Sequence, residues 1–308
     1  MQHSKKYFAR LVSDICRDWQ LYLLLSGLIV WYLLFVYKPI YGLQIAFKDY
    51  NIVKGIQESP WVGLAHFKEF IEGPYFWSRI RNTLLISLYS LLFQFPAPII
   101  LALLFNEVGS LRFKKFAQTI TYLPHFISVV VVAGLVTNFL SPSSGVINAI
   151  IEKLGGERVF FLSKKEYFRT IFILMGIWKE TGFGSIIFLA ALSGVDTQLY
   201  EAAYIDGASK LSRIWHVTLP GIAPTIIIML IMRIGNILNV SYESIILLYQ
   251  PITYETADVL SSYMYRTGLS EGRYDLAAAI GFFQSAIGFL LVVMANWISK
   301  RVTETSLW

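Results

Sequence analysis

A single cysteine, Cys16, excludes any internal disulfide and leaves redox chemistry without a second thiol. Charge is scarce as well: Asp, Glu, Lys and Arg make up 15% of the 308 residues against 56% hydrophobic, a balance that excludes an ordinary soluble domain. No G-x-x-x-x-G-K-[ST] phosphate loop occurs, so nothing points to nucleotide binding by the chain itself. The four histidines, His3, His66, His125 and His216, are scattered, no H-E-x-x-H helix exists, and no carboxylate pair inside an apolar run suggests an intramembrane hydrolase. No catalytic residue, metal ligand or cofactor of its own is therefore expected. The net charge of +6 comes without a nucleic-acid-binding motif; it reads as a bias toward the membrane surface, with no nucleic-acid partner.

Long apolar runs are what the sequence has in plenty. A helix needs about 20 mostly apolar residues to cross a bilayer, and about six windows qualify, near 20–37, 82–105, 116–140, 168–192, 221–240 and 276–298. The expected fold is an all-α integral membrane protein with about six transmembrane helices, one membrane domain over 1–308 and the lipid bilayer as its first partner. Lys5, Lys6 and Arg10 before the first window give it the outline of a signal peptide. Tyr37-Lys38-Pro39-Ile40-Tyr41 follows without a small-x-small cleavage site, so it reads as a retained span. Short basic segments (Lys5, Lys6, Arg10, Arg17; Arg112, Lys114, Lys115; Lys210, Arg213; Lys300, Arg301) put both termini in the cytoplasm, with 1–19 as a cytoplasmic tail. The opposite loops also carry Lys and Arg, and only the short-loop rule tips the balance.

On the far side, 38–81 contains Trp61-Val62-Gly63-Leu64-Ala65-His66-Phe67, suited to an interfacial helix, and 141–167 and 241–275 form loops large enough to meet an extracytoplasmic protein. Phe95-Pro96-Ala97-Pro98 predicts a kink in the second span, and Trp178 to Gly184 a loosened fourth span. No inverted repeat of the secondary-transporter kind is visible.

Between the fourth and fifth spans, 195–220 reads as a compact helix-turn-helix. Asp196 is placed to cap a short helix with Leu199, Ala202 and Ala203 on one face, and Gly207 to stop it. Ser209 starts a second helix that ends before Leu219-Pro220. Such a knob, carrying Glu201 on its surface, suits a groove on another protein; an ordinary polar loop is the plainer alternative.

Charges inside the spans are the other local clue. Lys179, Glu180 and Arg233 each cost roughly 2.5–3.5 kcal/mol at the bilayer centre, so they should face the bundle or a watery cavity. Adjacent Lys179 and Glu180 are expected to point different ways, one toward a pathway with Trp178, and Arg233 to pair with a carboxylate such as Glu180 or Glu243. Asn236, Asn239, Tyr242 and Tyr249, with Trp178 and Phe183, would supply amides and aromatic faces for a carbohydrate. A helix-bundle ion pair and ordinary aromatic packing are the competing readings.

The segment Glu201-Ala202-Ala203-Tyr204-Ile205-Asp206-Gly207, continuing to Val217-Thr218-Leu219-Pro220, resembles the E-A-A-x3-G-x9-I-x-L-P coupling loop of permeases in type I ATP-binding-cassette importers, with Val217 in place of the Ile. Tyr41-Gly42-Leu43-Gln44-Ile45-Ala46-Phe47-Lys48-Asp49-Tyr50-Asn51, Tyr122-Leu123-Pro124-His125-Phe126-Ile127-Ser128, Leu247-Leu248-Tyr249-Gln250-Pro251 and the closing Ser306-Leu307-Trp308 are similar to the polysaccharide and oligosaccharide branch of the bacterial sugar-importer permeases. The resemblance implies a type I importer permease fold with a cytoplasmic coupling helix. It also implies a second homologous permease, two ATPase subunits that carry the ATP and Mg, and an extracytoplasmic sugar-binding lipoprotein. Glu201, Ala202, Ala203, Asp206, Gly207, Leu219 and Pro220 would form the ATPase contact, in a bacterial cell membrane. The same architecture carrying a non-sugar solute, or a non-transporting sensor subunit, are the alternatives.

Overall fold

The computed structural model describes residues 17–303 with 306 and 307; Cys16, the basic residues Lys5, Lys6 and Arg10 of the expected tail, and Trp308 lie outside the described residues. The described chain is helical, and a lone antiparallel bridge between Lys48 and Trp61 is its only strand-like pairing. In order the principal helices are α1 Trp19–Phe47, α2 Ala65–Glu72, α3 Phe76–Glu107, α4 Leu111–Phe126, α5 Val129–Phe139, α6 Val146–Lys153, α7 Lys165–Ser193, α8 Thr197–Ile205, α9 Lys210–Gly235, α10 Tyr242–Leu248, α11 Leu260–Tyr265 and α12 Tyr274–Thr303. Five of these, α1, α3, α7, α9 and α12, are long and apolar enough to span a membrane, and α4 with α5 makes a sixth if the bent pair counts as one.

That pair corrects the expected single span at 116–140. Ile127 and Ser128 are extended, the Ser128 hydroxyl caps α5 by accepting from Val131 N, and the axes turn by 100°. Pro124 adds to the break by removing a helical donor in the last turn of α4. The proline pair of α3, by contrast, interrupts nothing: Ser90–Gln94 widens into a π turn in which Phe95 N bonds Ser90 O, and the helix continues through Pro96 and Pro98.

The loosened fourth span is also corrected, because α7 runs unbroken for 29 residues. Its glycines serve close approach instead. A Cβ on Gly182 would collide with the Thr121 carbonyl of α4, one on Gly176 with the Gln94 side chain, and one on Gly184 would sit 3.1 Å from Pro98 Cγ of α3. In lipid, where apolar surface alone does not drive helices together, such small residues let backbones meet.

α7 threads two apolar clusters, Phe168 and Phe172 packing with Ile86, Val132, Ile245 and Val259 at one end, Phe188 and Leu192 with Ile99 and Ile222 at the other. A third cluster joins Phe70 of α2 and Phe76 of α3 to Leu260, Leu276 and Ile280. The stretch 241–275, read as a loop from sequence, is therefore folded into the core. Asp258 there pairs with Arg79 of α3 at 2.9 Å and with Arg266 at 3.0 Å, and Asn82 of α3, fully buried, donates to the Glu255 and Asp258 carbonyls. The amphipathic stretch of 38–81 contains α2, whose His66 bonds the Lys48 carbonyl and whose Glu69 takes a bidentate contact from Arg273. α1 stands apart: none of its most apolar window is buried, and only its last turns pack, through Phe47 against Phe67 and Phe282.

Candidate functional site

The loop at 195–220 is built from its caps. Asp196 Oδ1 accepts from Gln198 N at 2.9 Å and starts α8. The helix stops at Gly207, whose φ of +73° is left-handed, with Gly207 N on Tyr204 O and Ala208 N on Ala203 O. Those two bonds close a Schellman motif and satisfy the last carbonyls. Ser209 then caps α9, accepting from Ser212 N. Tyr200 Oη donates to Thr218 Oγ1 at 3.0 Å, so α8 is tied back to the root of α9.

At Leu219-Pro220 the expected break is absent. Ile214–Thr218 forms a π turn in which Leu219 N bonds Ile214 O, and α9 passes through Pro220 as one rod of 26 residues. At the rise of an α-helix that rod is roughly 40 Å long. Glu201, Ala202, Asp206 and Gly207 are exposed and Ala203 partly so, while Tyr204, with the Arg213 guanidinium 5.8 Å from its ring centroid, and Ile205, 83% exposed, form an exposed apolar tip. A shallow hollow lined by Tyr200, Glu201, Tyr204, Ile205 and Arg213 lies beside it.

The other end of α9 borders a cavity of about 360 Å³. The structure brings Lys179, Glu180, Arg233, Asn236, Asn239 and Glu243 together on its wall. Trp178 and Tyr242 are not among the lining residues: Trp178 is half exposed on the outside of α7, and Tyr242 stacks on Tyr265 with centroids 5.1 Å apart. Phe183 stacks flat on His125 at 4.0 Å, and Tyr249 on Tyr254 at 4.6 Å.

Two expected pairings are corrected. Lys179 Nζ and Glu180 Oε1 meet at 2.8 Å, because long side chains bridge the angle between neighbouring helical positions; Glu180 Oε2 is 2.7 Å from His125 Nδ1. Arg233 contacts no carboxylate among the described residues: its Nη2 donates to Ser90 Oγ and Gln94 Oε1 of α3. Ser90 and Gln94 escaped the sequence reading, and His125 entered it only as a scattered histidine and a residue of a family motif, not as a partner of Glu180. Gln94 carried a usable signal, a lone amide inside the apolar run Leu91-Leu92-Phe93-Gln94-Phe95, since an amide facing lipid is costly.

Comparison with known proteins agrees with this architecture. Residues 94–304 match the family described as "Binding-protein-dependent transport system inner membrane component". Protein LplB of Bacillus subtilis (strain 168) is 44% identical over 96% of this chain and 93% of its own length. The polygalacturonan/rhamnogalacturonan transport system permease protein YteP of the same organism is 42% identical over 97% of this chain and 93% of its own. Among solved structures, a chain of a bacterial ABC transporter involved in import of the acidic polysaccharide alginate superposes with a TM-score of 0.88 at 51% identity, covering 96% of this chain and 99% of that one. A chain of a bacterial alginate ABC transporter in complex with an alginate pentasaccharide-bound periplasmic protein gives 0.88 at 50% identity, covering 97% of this chain and all of that one. With more than half of its length inside the family match and relatives above 40% identity along nearly all of it, the chain belongs to the binding-protein-dependent transport system inner membrane components, multi-pass membrane permeases.

Proposed function

We propose that the chain is one of two permeases in an ATP-driven importer of the type I class, passing an oligosaccharide or other polysaccharide-derived sugar from an extracytoplasmic binding lipoprotein into the cytoplasm of a bacterial cell. The single observation that carries this reading is the rod α9, with a capped, protein-sized knob at one end and a polar cavity at the other. A push on Glu201, Tyr204 or Ile205 travels along one continuous helix to Arg233 and Asn236, because the Tyr200–Thr218 bond removes the slack at the root. The pushing partners are two ATPase subunits, which hold the ATP and Mg, and the cavity is completed by a second homologous permease. Glu201, Ala202, Ala203, Asp206 and Gly207 shape the ATPase contact. Leu219 and Pro220 lie in the rod just beyond it.

A sugar as cargo draws support from the names of the relatives and from a wall of amides and hydroxyls, Ser87, Ser90, Gln94, Asn236 and Asn239, able to bond hydroxyl groups. Both termini lie in the cytoplasm in this reading.

The test is reconstitution with the second permease, two ATPase subunits and the loaded binding protein. Glu201→Lys and Gly207→Val should each abolish sugar uptake while the chain still inserts and the two permeases still co-purify, since one reverses a charge-assisted contact and the other puts a β-branched residue at a left-handed position. Normal uptake by both variants would overturn the assignment.

A further inference from the structure

Arg233 brings into the cavity a charge that the described residues leave without a carboxylate contact. Its Nη2 is fixed by Ser90 Oγ and Gln94 Oε1, and these are themselves held, Ser90 Oγ donating to Gln94 Oε1 at 2.6 Å and Gln94 Nε2 to the Ile173 carbonyl at 3.3 Å. Nε and Nη1 have no protein partner among the described residues. The guanidinium is thus oriented by neutral groups with donors to spare. Glu180 lies within Coulombic reach, but its oxygens are taken by His125 and Lys179, and Lys179 is neutralised in the same exchange.

A positioned guanidinium with free donors matches a carboxylate, which it binds by paired, charge-assisted hydrogen bonds. On the reading of the chain as a sugar permease, we infer that Arg233 is the docking point for the carboxylate of a uronic-acid unit, so that the cargo is an acidic oligosaccharide. Glu243 lines the same cavity with no ion partner among the described residues. It accepts sugar hydroxyls and, by repelling carboxylates, keeps the acidic unit from binding too tightly to leave, a condition every pathway must meet.

The probes are a galacturonate trisaccharide and a mannuronate trisaccharide, with xylotriose and maltotriose as neutral counterparts, each presented to the full reconstituted complex with its binding protein. A charged sugar should be carried in preference to the neutral ones. Arg233→Gln should lower carriage of that charged sugar about tenfold, the scale of one lost charge-assisted pair. Complex yield should stay at the unmutated level, Arg233→Lys should retain part of the uptake, and Glu243→Gln should slow release into the vesicle. Transport of neutral sugars alone overturns the acidic cargo and leaves the sugar-permease reading standing, whereas transport of no sugar removes both. Unchanged uptake of the charged sugar by Arg233→Gln overturns the role of Arg233. So does a parallel loss of yield and uptake restored by Arg233→Lys, which would make Arg233 a structural contact to the second permease.

Discussion

Asp258 holds two guanidiniums at once. Its carboxylate meets Arg79 Nε at 2.9 Å and Arg266 Nη2 at 3.0 Å, accepts from Ser262 Oγ at 2.9 Å, and lies in a shell where the Arg79 guanidinium also covers the Tyr263 ring at 3.5 Å. Removing one member of a buried ion network strands the others, at a cost of about 3–5 kcal/mol. Asp258→Asn should therefore lower the midpoint of detergent-solubilised thermal unfolding far more than a surface change such as Glu152→Gln does. A midpoint equal to that of Glu152→Gln would mean that the network contributes nothing. Single residues also explain the fit between spans: Gly182 is needed because backbone, the Thr121 carbonyl, occupies the space a side chain would fill.

Among the elements, α2 shows how a short helix is fastened to a large bundle. Phe70 inserts beside Phe76 at 5.0 Å and Phe283 at 5.4 Å, and Glu69 receives both Arg273 Nη1 at 2.6 Å and Nη2 at 2.9 Å. The Arg273 hydrogen bonds hold the Glu69 carboxyl below its ordinary value of 4.5, outweighing the opposing effect of burial. A group whose folded value is depressed stabilises above its unfolded value and loses that contribution as pH falls through the folded one. The protection factors of the α2 amides, which are exchange rates corrected for their intrinsic pH dependence, should accordingly stay high from pH 7 to about 4.5 and fall below it, by a small factor because Glu69 is half exposed. Glu69→Gln should remove that step; a step of the same size in the variant would assign it to another group. α9 makes the complementary point, since a π turn at Ile214–Thr218 lets one helix serve as both loop arm and span where Pro220 in the sequence reads as a boundary.

For the whole molecule, the placement of the two exposed tips relative to the bilayer is the measurable property. Val53, 91% exposed in the segment after α1, and Ile205, 83% exposed at the tip of α8, lie in segments of opposite expected sidedness. With Cys16 replaced by Ser, Val53→Cys should react with a membrane-impermeant thiol reagent in intact cells, and Ile205→Cys only in inverted vesicles. Labelling of both from one side would invalidate the topology. The apolar exterior of α1 belongs to the same scale. A helix whose most apolar window is unburied in the isolated chain is solvated by lipid or by a neighbouring subunit, and the bilayer makes either arrangement stable.

The sequence by itself determined the class of this protein: apolar runs of bilayer length have one stable solution in lipid, a helix that satisfies its own backbone. It also determined the caps and the turn of the 195–220 knob, though not the end of its second helix, since Asp196, Gly207 and Ser209 act on bonds within a few residues of themselves, and local chemistry suffices for local bonds. Its windows for α1, α3, α7, α9 and α12 fall within the observed helices or overrun them by a few residues, whereas 116–140 hid a bend whose cause, two extended residues and a serine cap, is too short to alter an average over 20. Only the tertiary structure decided where charges go. Lys179 with Glu180, Arg233 with Ser90 and Gln94, and Arg79 with Asp258 across 179 positions depend on which helix faces meet. That choice is made by the summed packing of all the helices, Gly182 against α4 and Phe172 against Val132 among them, and is not encoded in any window of the chain.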